Sequence, residues 1–313
     1  MNCAPVILIV YTRKQNLENL VVSLRQNPES VETDVWIISD AASKKEDEKA
    51  VSEVREYAKT VSGFRSVHLV APEKNSRVYN ISHYMPVVKT VLEKYGKVIS
   101  LEDDNIVSKH FLHYMNEGLE FYKDYPNIGA ICGYELPIKI PKEYKNDIYL
   151  GVRYSPWGVG FTKKWYDQID RSVWNRYEEA IKPENKRKFL MAGKNIFDIL
   201  KEDSEGKIYA PDARVCFYQI MHNIYCVFPC ISMVKNVGFD GSGEHNGYSL
   251  RWDAMLDDRA VYSVKMVKDI QPDLKILHRI QKYNDHGYIL RHYGKILLKK
   301  IGLFSFARKI LYK

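Results

Sequence analysis

The chain has 313 residues, of which 45% are hydrophobic, 27% charged and 12% aromatic; this is the balance of a globular protein with a real core, and it excludes a disordered or fibrous chain. The net charge is +8, but between His286 and Lys313 there is no acid, while Arg291, Lys295, Lys299, Lys300, Arg308, Lys309 and Lys313 supply seven bases. Without those seven, 40 bases face 39 acids, so the basicity belongs to a tail and a broad nucleic-acid groove is excluded.

The five cysteines, Cys3, Cys132, Cys216, Cys226 and Cys230, are odd in number and lack zinc-finger spacing. They read as reduced thiols of a cytosolic protein, with core packing the simplest role for Cys226 and Cys230. Met1 to Pro5 has no charged leader-like region, so no signal peptide is expected. The 23 tyrosines pair a flat apolar ring with a hydroxyl and so suit sugar or base binding, although a Tyr-rich composition accounts for most of them.

Val6-Ile-Leu-Ile-Val10 is a β-branched run expected as a strand buried on both faces, and it is far too short to span a bilayer. The polar loop Tyr11 to Asn16 follows, then Leu17, Leu20, Val21 and Leu24 at helical spacing. Val35 to Ile38 predicts a second strand ending in Ser39-Asp40, and a charged helix is expected from about Lys44 to Val61. Ser66 to Val70 predicts a third strand. A helix from about Ile81 to Tyr95 leads into a fourth, Lys97 to Leu101. This alternation points to a parallel sheet with helices on both faces. No glycine-rich fingerprint follows the first strand and no Walker A loop is present, which disfavours a dinucleotide or ATP phosphate cradle. Ile128 to Cys132 predicts another strand. Lys142 to Asp212 is rich in Lys, Tyr and Trp with weak periodicity, and reads equally as an acceptor-side surface or a peripheral helical decoration. Residues 215–235 return to apolar character, and Phe239 to Gly247 is loop-forming by its glycines.

The fourth strand runs straight into Glu102-Asp103-Asp104. Three adjacent carboxylates repel one another and are costly unless solvated or paired with a cation. At the carboxyl end of a strand in an open α/β sheet, where ligands bind, a divalent cation can bridge such a carboxylate to a diphosphate. A solvated turn is the plainer alternative.

The segment Leu101-Glu-Asp-Asp-Asn-Ile-Val-Ser-Lys-His-Phe111 resembles the Glu-Asp-Asp segment of the Golgi N-acetylglucosaminyltransferase I family, and still more the bacterial GT-A glycosyltransferases related to it. Pro5 to Leu24 resembles that family's opening strand, loop and helix. Trp36 to Asp40 resembles its second strand, and Tyr154-Ser-Pro-Trp-Gly-Val-Gly-Phe161 its Gly-rich stretch. Asn236 to His245 resembles a loop of the bacterial members. Pro211-Asp-Ala-Arg214 stands where the family has Trp-Asp, with Pro211 the clearest departure. The likeness runs in order over roughly residues 5 to 247.

The resemblance implies an α/β fold of GT-A type, Rossmann-like, with a mostly parallel central sheet. Residues 1–285 would form the glycosyltransferase domain, with 1–125 as the nucleotide-sugar-binding half, 126–285 as the acceptor-side half, and 286–313 as a basic amphipathic tail. It further implies an inverting transfer from a nucleotide-sugar, with a UDP-sugar favoured, to a hydroxyl of a glycan or lipid-linked acceptor. Asp104 would hold Mn²⁺ or Mg²⁺ against the diphosphate, with His245 as a further metal ligand or phosphate contact. Glu102 and Asp103 would hold the ribose or donor sugar. Arg13, in the loop after the first strand, joins the donor-binding set. Asp40 would accept from the base N3–H, or else cap the next helix. Asn75 and Arg77 lie in a loop before a helix, where Arg77 would reach the diphosphate. Asp212 is the candidate general base, or else a helix cap, with Glu135 and Asp240 in reserve. A nucleotidyltransferase and a non-catalytic carbohydrate-binding protein are the competing readings; the first is disfavoured because Tyr11 to Asn16 has no glycine.

In the tail, Ile289, Leu290, Tyr293, Ile296, Leu297, Ile301, Phe304, Ala307 and Leu311 recur every three or four residues, with Arg291, Lys295 and Lys299 on one face. Such a helix either lies on an anionic membrane surface or packs its apolar stripe on the enzyme body. The first reading places the protein at the cytoplasmic face of the inner membrane.

Overall fold

The structure, a computed structural model, describes residues 3–76, 81–172, 175–239, 249–285 and 297–298. Its amino-terminal half grows around β1 (Val6–Val10). This strand is followed by α1 (Lys14–Arg25), β2 (Asp34–Ser39), α2 (Glu48–Thr60), β3 (Ser66–Val70), α3 (Ile81–Tyr95) and β4 (Lys97–Glu102). Strand β1 pairs in parallel with both β2 and β4, and β2 pairs in parallel with β3. These are the four strands and three helices expected from the hydrophobic periodicity. Helix α1 starts at Lys14, so the polar loop before it is shorter than the composition suggested.

Next come β5 (Asn105–Val107), α4 (Phe111–Phe121), β6 (Ile128–Cys132), β7 (Ile148–Gly151) and β8 (Val159–Thr162). Five helices follow: α5 (Lys163–Gln168), α6 (Arg176–Ala180), α7 (Pro183–Leu190), α8 (Asn195–Ser204) and α9 (Pro211–Met221). The described chain then closes with β9 (Tyr225–Pro229), β10 (Val234–Asn236) and α10 (Leu274–Asn284). Among the described residues, eight strands form one sheet in the order β3-β2-β1-β4-β8-β6-β9-β7, and β5 and β10 form a small antiparallel ribbon. Strand β8 runs antiparallel to both β4 and β6, and β7 antiparallel to β9. The sheet is therefore mixed, with six strands sharing one direction and two opposing it.

Side-chain alternation along β1 sets the two faces. Val6, Leu8 and Val10 face a core shared with Leu17, Leu20 and Leu24 of α1, Val54 of α2 and Phe111 and Met115 of α4. Ile7 faces the other core, with Val88 and Val91 of α3, Val159 and Phe161 of β8, and residues of α7 to α10. Each fully buried aliphatic side chain contributes roughly 1.5–3 kcal/mol. The middle section is thus no peripheral decoration: Phe189, Ile196 and Leu200 are fully buried in this second core.

Helix α10 was not marked by the sequence reading. Asp273 caps it, accepting from the Lys275 and Ile276 amides at 2.9 Å each. The tail helix expected over residues 289–311 lies, apart from Leu297 and Leu298, outside the described residues, as do Arg77, Asp240 and His245. No described helix is long and apolar enough to cross a membrane. All five cysteines are free thiols, four of them buried.

Candidate active site

Strand β4 delivers Glu102 to the carboxyl edge of the sheet, and the turn after it carries Asp103 and Asp104. The Asp103 amide donates to the Ile9 carbonyl at 3.1 Å, which extends the β1–β4 pairing through the turn. Asn105 closes that turn, its Oδ1 accepting from the Glu102 amide at 3.0 Å. The β5–β10 ribbon sets Asn236 opposite Asn105, and both side-chain amides donate to Asp104 Oδ1, at 3.0 and 3.1 Å. The backbone closes over the same residue, with the Val237 amide donating to the Asp104 carbonyl at 2.8 Å. A Cβ on Gly238 would stand 2.1 Å from Asp104 Oδ2, so only glycine permits this approach.

Arg13, just before α1, supplies the local positive charge. Its Nη2 donates to Asp103 and, at 3.0 Å, to Asp104 Oδ2. One guanidinium does not balance three carboxylates. Burial, with Asp104, Asp103 and Asp212 adding to it, pushes the Glu102 carboxyl up to about 8 against the pull of Arg13. Burial also raises Asp103, to about 6, with Arg13 opposing and Asp104 reinforcing. Asp103 and Asp104 each turn a carboxylate oxygen toward the single nitrogen Arg13 Nη2, and every donor here is a hard oxygen. That chemistry fits a divalent cation held by one or two carboxylates and completed by substrate oxygens. Among the described residues no three His, Cys, Asp or Glu side chains surround a common point.

At the same edge of the sheet, Asp40 follows β2 and Asn75 follows β3. Asp40 does not cap a helix: α2 is preceded by Asp47 at its cap position. Its carboxylate instead accepts from the Ala41 amide at 2.8 Å, from Ser76 Oγ at 2.7 Å and from the Ser76 amide at 3.2 Å. Asn75 Nδ2 donates to the Ala41 carbonyl at 2.6 Å. Together they lace the loops after β2 and β3 into one wall at this edge of the sheet.

Asp212 arrives from a different part of the chain. Helix α9 opens with Pro211 in its first turn, where a missing N–H costs nothing, which accounts for proline at this place. Ala210 occupies the cap position, so Asp212 is not the helix cap, contrary to that alternative. It stands in the first turn, where the helix dipole favours a carboxylate, and it accepts no hydrogen bond among the described residues. Asp212 and Glu102 line the same cavity of about 570 Å³. Glu135 does not line it. It is fully buried behind Tyr149, whose hydroxyl donates to it, and burial holds its carboxyl well above the usual range. That removes Glu135 as a reserve base.

The rest of the cavity wall is aromatic. Tyr154, Ser155, Pro156, Trp157, Val159 and Phe161 all contribute, so the Gly-rich stretch singled out in the sequence is a wall of the site. Trp157 meets Tyr134 edge-on at 4.7 Å and Trp252 at 5.6 Å. Tyr84, Tyr149, Tyr166 and Tyr209 complete it, with Arg153, Arg171 and Arg214. Tyr84, Tyr149, Tyr166, Tyr209, Arg153 and Arg171 carry no motif of their own. For all of them but Tyr84, the one signal is the Lys142 to Asp212 segment, rich in Lys, Tyr and Trp and weak in periodicity.

No protein-family model and no curated protein matches this chain. Among solved structures it is similar to a mannosyltransferase from Pyrobaculum calidifontis in complex with GDP-Man and Mn²⁺, with 15% identity and a TM-score of 0.37 over 53% of this chain and 46% of that one. It is also similar to S. aureus TarS, with 14% identity and a TM-score of 0.36 over 60% of this chain and 33% of that one. For the 1–349 form of TarS the identity is 13% and the TM-score 0.36, over 60% and 54%. The chain thus spans between a third and just over half the length of these structures. At this depth of similarity the geometry of the site itself has to carry the function.

Proposed function

We propose that this protein is a glycosyltransferase that moves a sugar from a nucleoside-diphosphate donor, a UDP-sugar by preference, to a hydroxyl of a glycan or lipid-linked acceptor. The observation that carries this reading is the placing of Glu102 and Asp212 on one aromatic cavity, with Asp103 and Asp104 beside Glu102 at the carboxyl edge of the sheet. Flat aromatic rings and a few convergent acids are what a sugar site needs.

In this reading Asp104 and Asp103 hold Mn²⁺ or Mg²⁺, which when bound neutralises charge on the leaving diphosphate. Arg13 orients both carboxylates and would add its charge to the binding of the donor phosphates. The wall laced by Asp40 and Asn75 receives the nucleoside. Asp212 takes the proton of the acceptor hydroxyl as its oxygen bonds to the anomeric carbon. The bond from that carbon to the phosphate oxygen breaks in the same displacement, its electron pair leaves with the nucleoside diphosphate, and configuration inverts. The aromatic walls exclude water and favour transfer over hydrolysis.

Incubation with a panel of nucleotide-sugars and Mn²⁺ tests this through release of nucleoside diphosphate. Release from one donor class, abolished by excess EDTA and by Asp104→Ala, is the expected result. Full release in EDTA overturns the metal, and no release from any donor overturns the activity.

A further inference from the structure

Three arginines line the cavity, and they differ in what balances them. Arg214 is neutralised by Asp203, with Nε–Oδ2 at 2.9 Å and Nη2–Oδ1 at 3.0 Å. Arg153 donates to Asn195 Oδ1 at 2.9 Å and to the Ala192 carbonyl at 3.3 Å. Neither Arg153 nor Arg171 forms an ion pair among the described residues, and Asp167 lends Arg171 only a minor favourable charge. Arg171 Nη1 is taken up by the carbonyls of Tyr166 and Ile169, at 2.8 and 3.1 Å, while Nε and Nη2 donate to no described residue. The Tyr166 ring lies 3.9 Å from its guanidinium carbon and fixes the plane of the fork. Burial lowers its pKa, and the opposing pull of the Tyr166, Tyr154 and Tyr84 hydroxyls and of Asp167 does not cancel it.

Arg214, two residues beyond Asp212 on α9, donates from Nη1 to the Arg171 carbonyl at 3.3 Å. The helix that carries the residue assigned as base is therefore hydrogen-bonded to the backbone of Arg171. Glu102 belongs to the sheet, on the donor side.

We propose that Arg171 recognises an anionic substituent, a carboxylate or a phosphate, on the acceptor sugar, so that this enzyme extends an acidic glycan. The inference rests on the acceptor-site reading of the cavity. A half-buried guanidinium with two unused donors in a fixed plane matches a planar or tetrahedral oxyanion by paired, charge-assisted hydrogen bonds. A neutral sugar would offer those two donors no charged acceptor.

The probes are D-glucuronate, D-glucose 6-phosphate and D-glucose, titrated into the full chain while tryptophan fluorescence is followed, since Trp157, Trp165 and Trp252 line the cavity. At least one charged sugar should bind about tenfold or more tightly than glucose, the scale of one charge-assisted pair. The tighter of the two identifies the source as uronate or phosphate. Arg171→Gln should abolish the preference. Arg171→Lys, which keeps the charge without the fork, should restore part of it. Equal binding of glucose by the unaltered protein, no saturable binding of either charged sugar, or an undiminished preference in Arg171→Gln overturns the proposal. Nucleoside diphosphate release is measured separately, so failure here and failure of the transfer reaction are distinguishable.

Discussion

Glu102 and Asp212 line one cavity, the first at the end of β4 and the second in the opening turn of α9. The charge of Asp212 adds to the forces that hold Glu102 in its protonated form. In the proposed reaction the two acids have different work: Glu102 would face the donor, and Asp212, which accepts no hydrogen bond among the described residues, would be the base. Asp212→Asn keeps size and shape but not basicity. Sugar transfer should slow by at least ~100-fold, the usual scale for losing a positioned base, while nucleoside diphosphate affinity stays. Steady-state transfer and calorimetric nucleotide binding check the two halves. Near-normal transfer by the variant would remove Asp212 from the mechanism.

Gly238 gives a second test that leaves every acid in place. A methyl group there would sit 2.1 Å from Asp104 Oδ2 and 3.1 Å from Arg13 Nη1. The carboxylate has to swing away, breaking the arrangement that Asn105 and Asn236 hold. Gly238→Ala should therefore reduce turnover by at least tenfold and weaken Mn²⁺ activation, with a melting temperature close to that of the unaltered chain. Unchanged metal activation would show that Asp104 need not stand where Asn236 places it.

Far from the site, Asp34 opens β2 and gathers Arg65 Nε at 2.7 Å, Ser66 Oγ at 2.7 Å and Tyr95 Oη at 2.5 Å. Hydrogen bonding from Arg65 first, with Tyr95 and Ser66, holds its carboxyl well below the usual range despite burial. A depressed folded pKa means that its stabilisation is complete above the unfolded value of about 3.9 and fades as pH falls below it. Asp34→Asn should cost roughly 0.5–1.5 kcal/mol near neutrality, because three donors lose a charged acceptor while the exposure of Arg65 screens the loss. The gap from the unaltered chain should narrow in urea unfolding below about pH 4. A gap that is the same at neutral and acid pH would mean that Asp34 acts through packing.

The amino-terminal βα repeats were legible because β1 to β4 are apolar runs and α1 to α3 keep strict helical spacing, so each element announces its own face. The place of the acidic triplet at the carboxyl edge of the sheet was legible because it follows such a strand directly. Strands β7 and β8 were not. Each is four residues long and includes a glycine, and Gly160 is there because Met115 and Leu119 of α4 crowd it. Only packing across the chain explains that choice. Arg171 and the tyrosines outside the Tyr154 to Phe161 stretch were illegible for the same reason: a cavity assembled from separate elements leaves no spacing to read.

The tail supplies the last test. Helix α10 is docked at its end: Asn284 Nδ2 donates to the Ala192 carbonyl at 3.3 Å, and Asp285 Oδ1 accepts from the Lys194 amide at 2.6 Å. A chain ending at Asp285 keeps both contacts and every residue of the cavity, so its fold and donor hydrolysis should persist. It loses seven bases and no acid. Each base near an anionic bilayer contributes roughly 1 kcal/mol, with apolar side chains adding to it. Co-flotation with vesicles containing phosphatidylglycerol at low salt should therefore fall sharply on truncation and, for the full chain, with rising salt. If both forms float equally poorly, the membrane role proposed for residues 286–313 is wrong. If truncation instead lowers the melting temperature by several degrees, the apolar stripe belongs against the enzyme body.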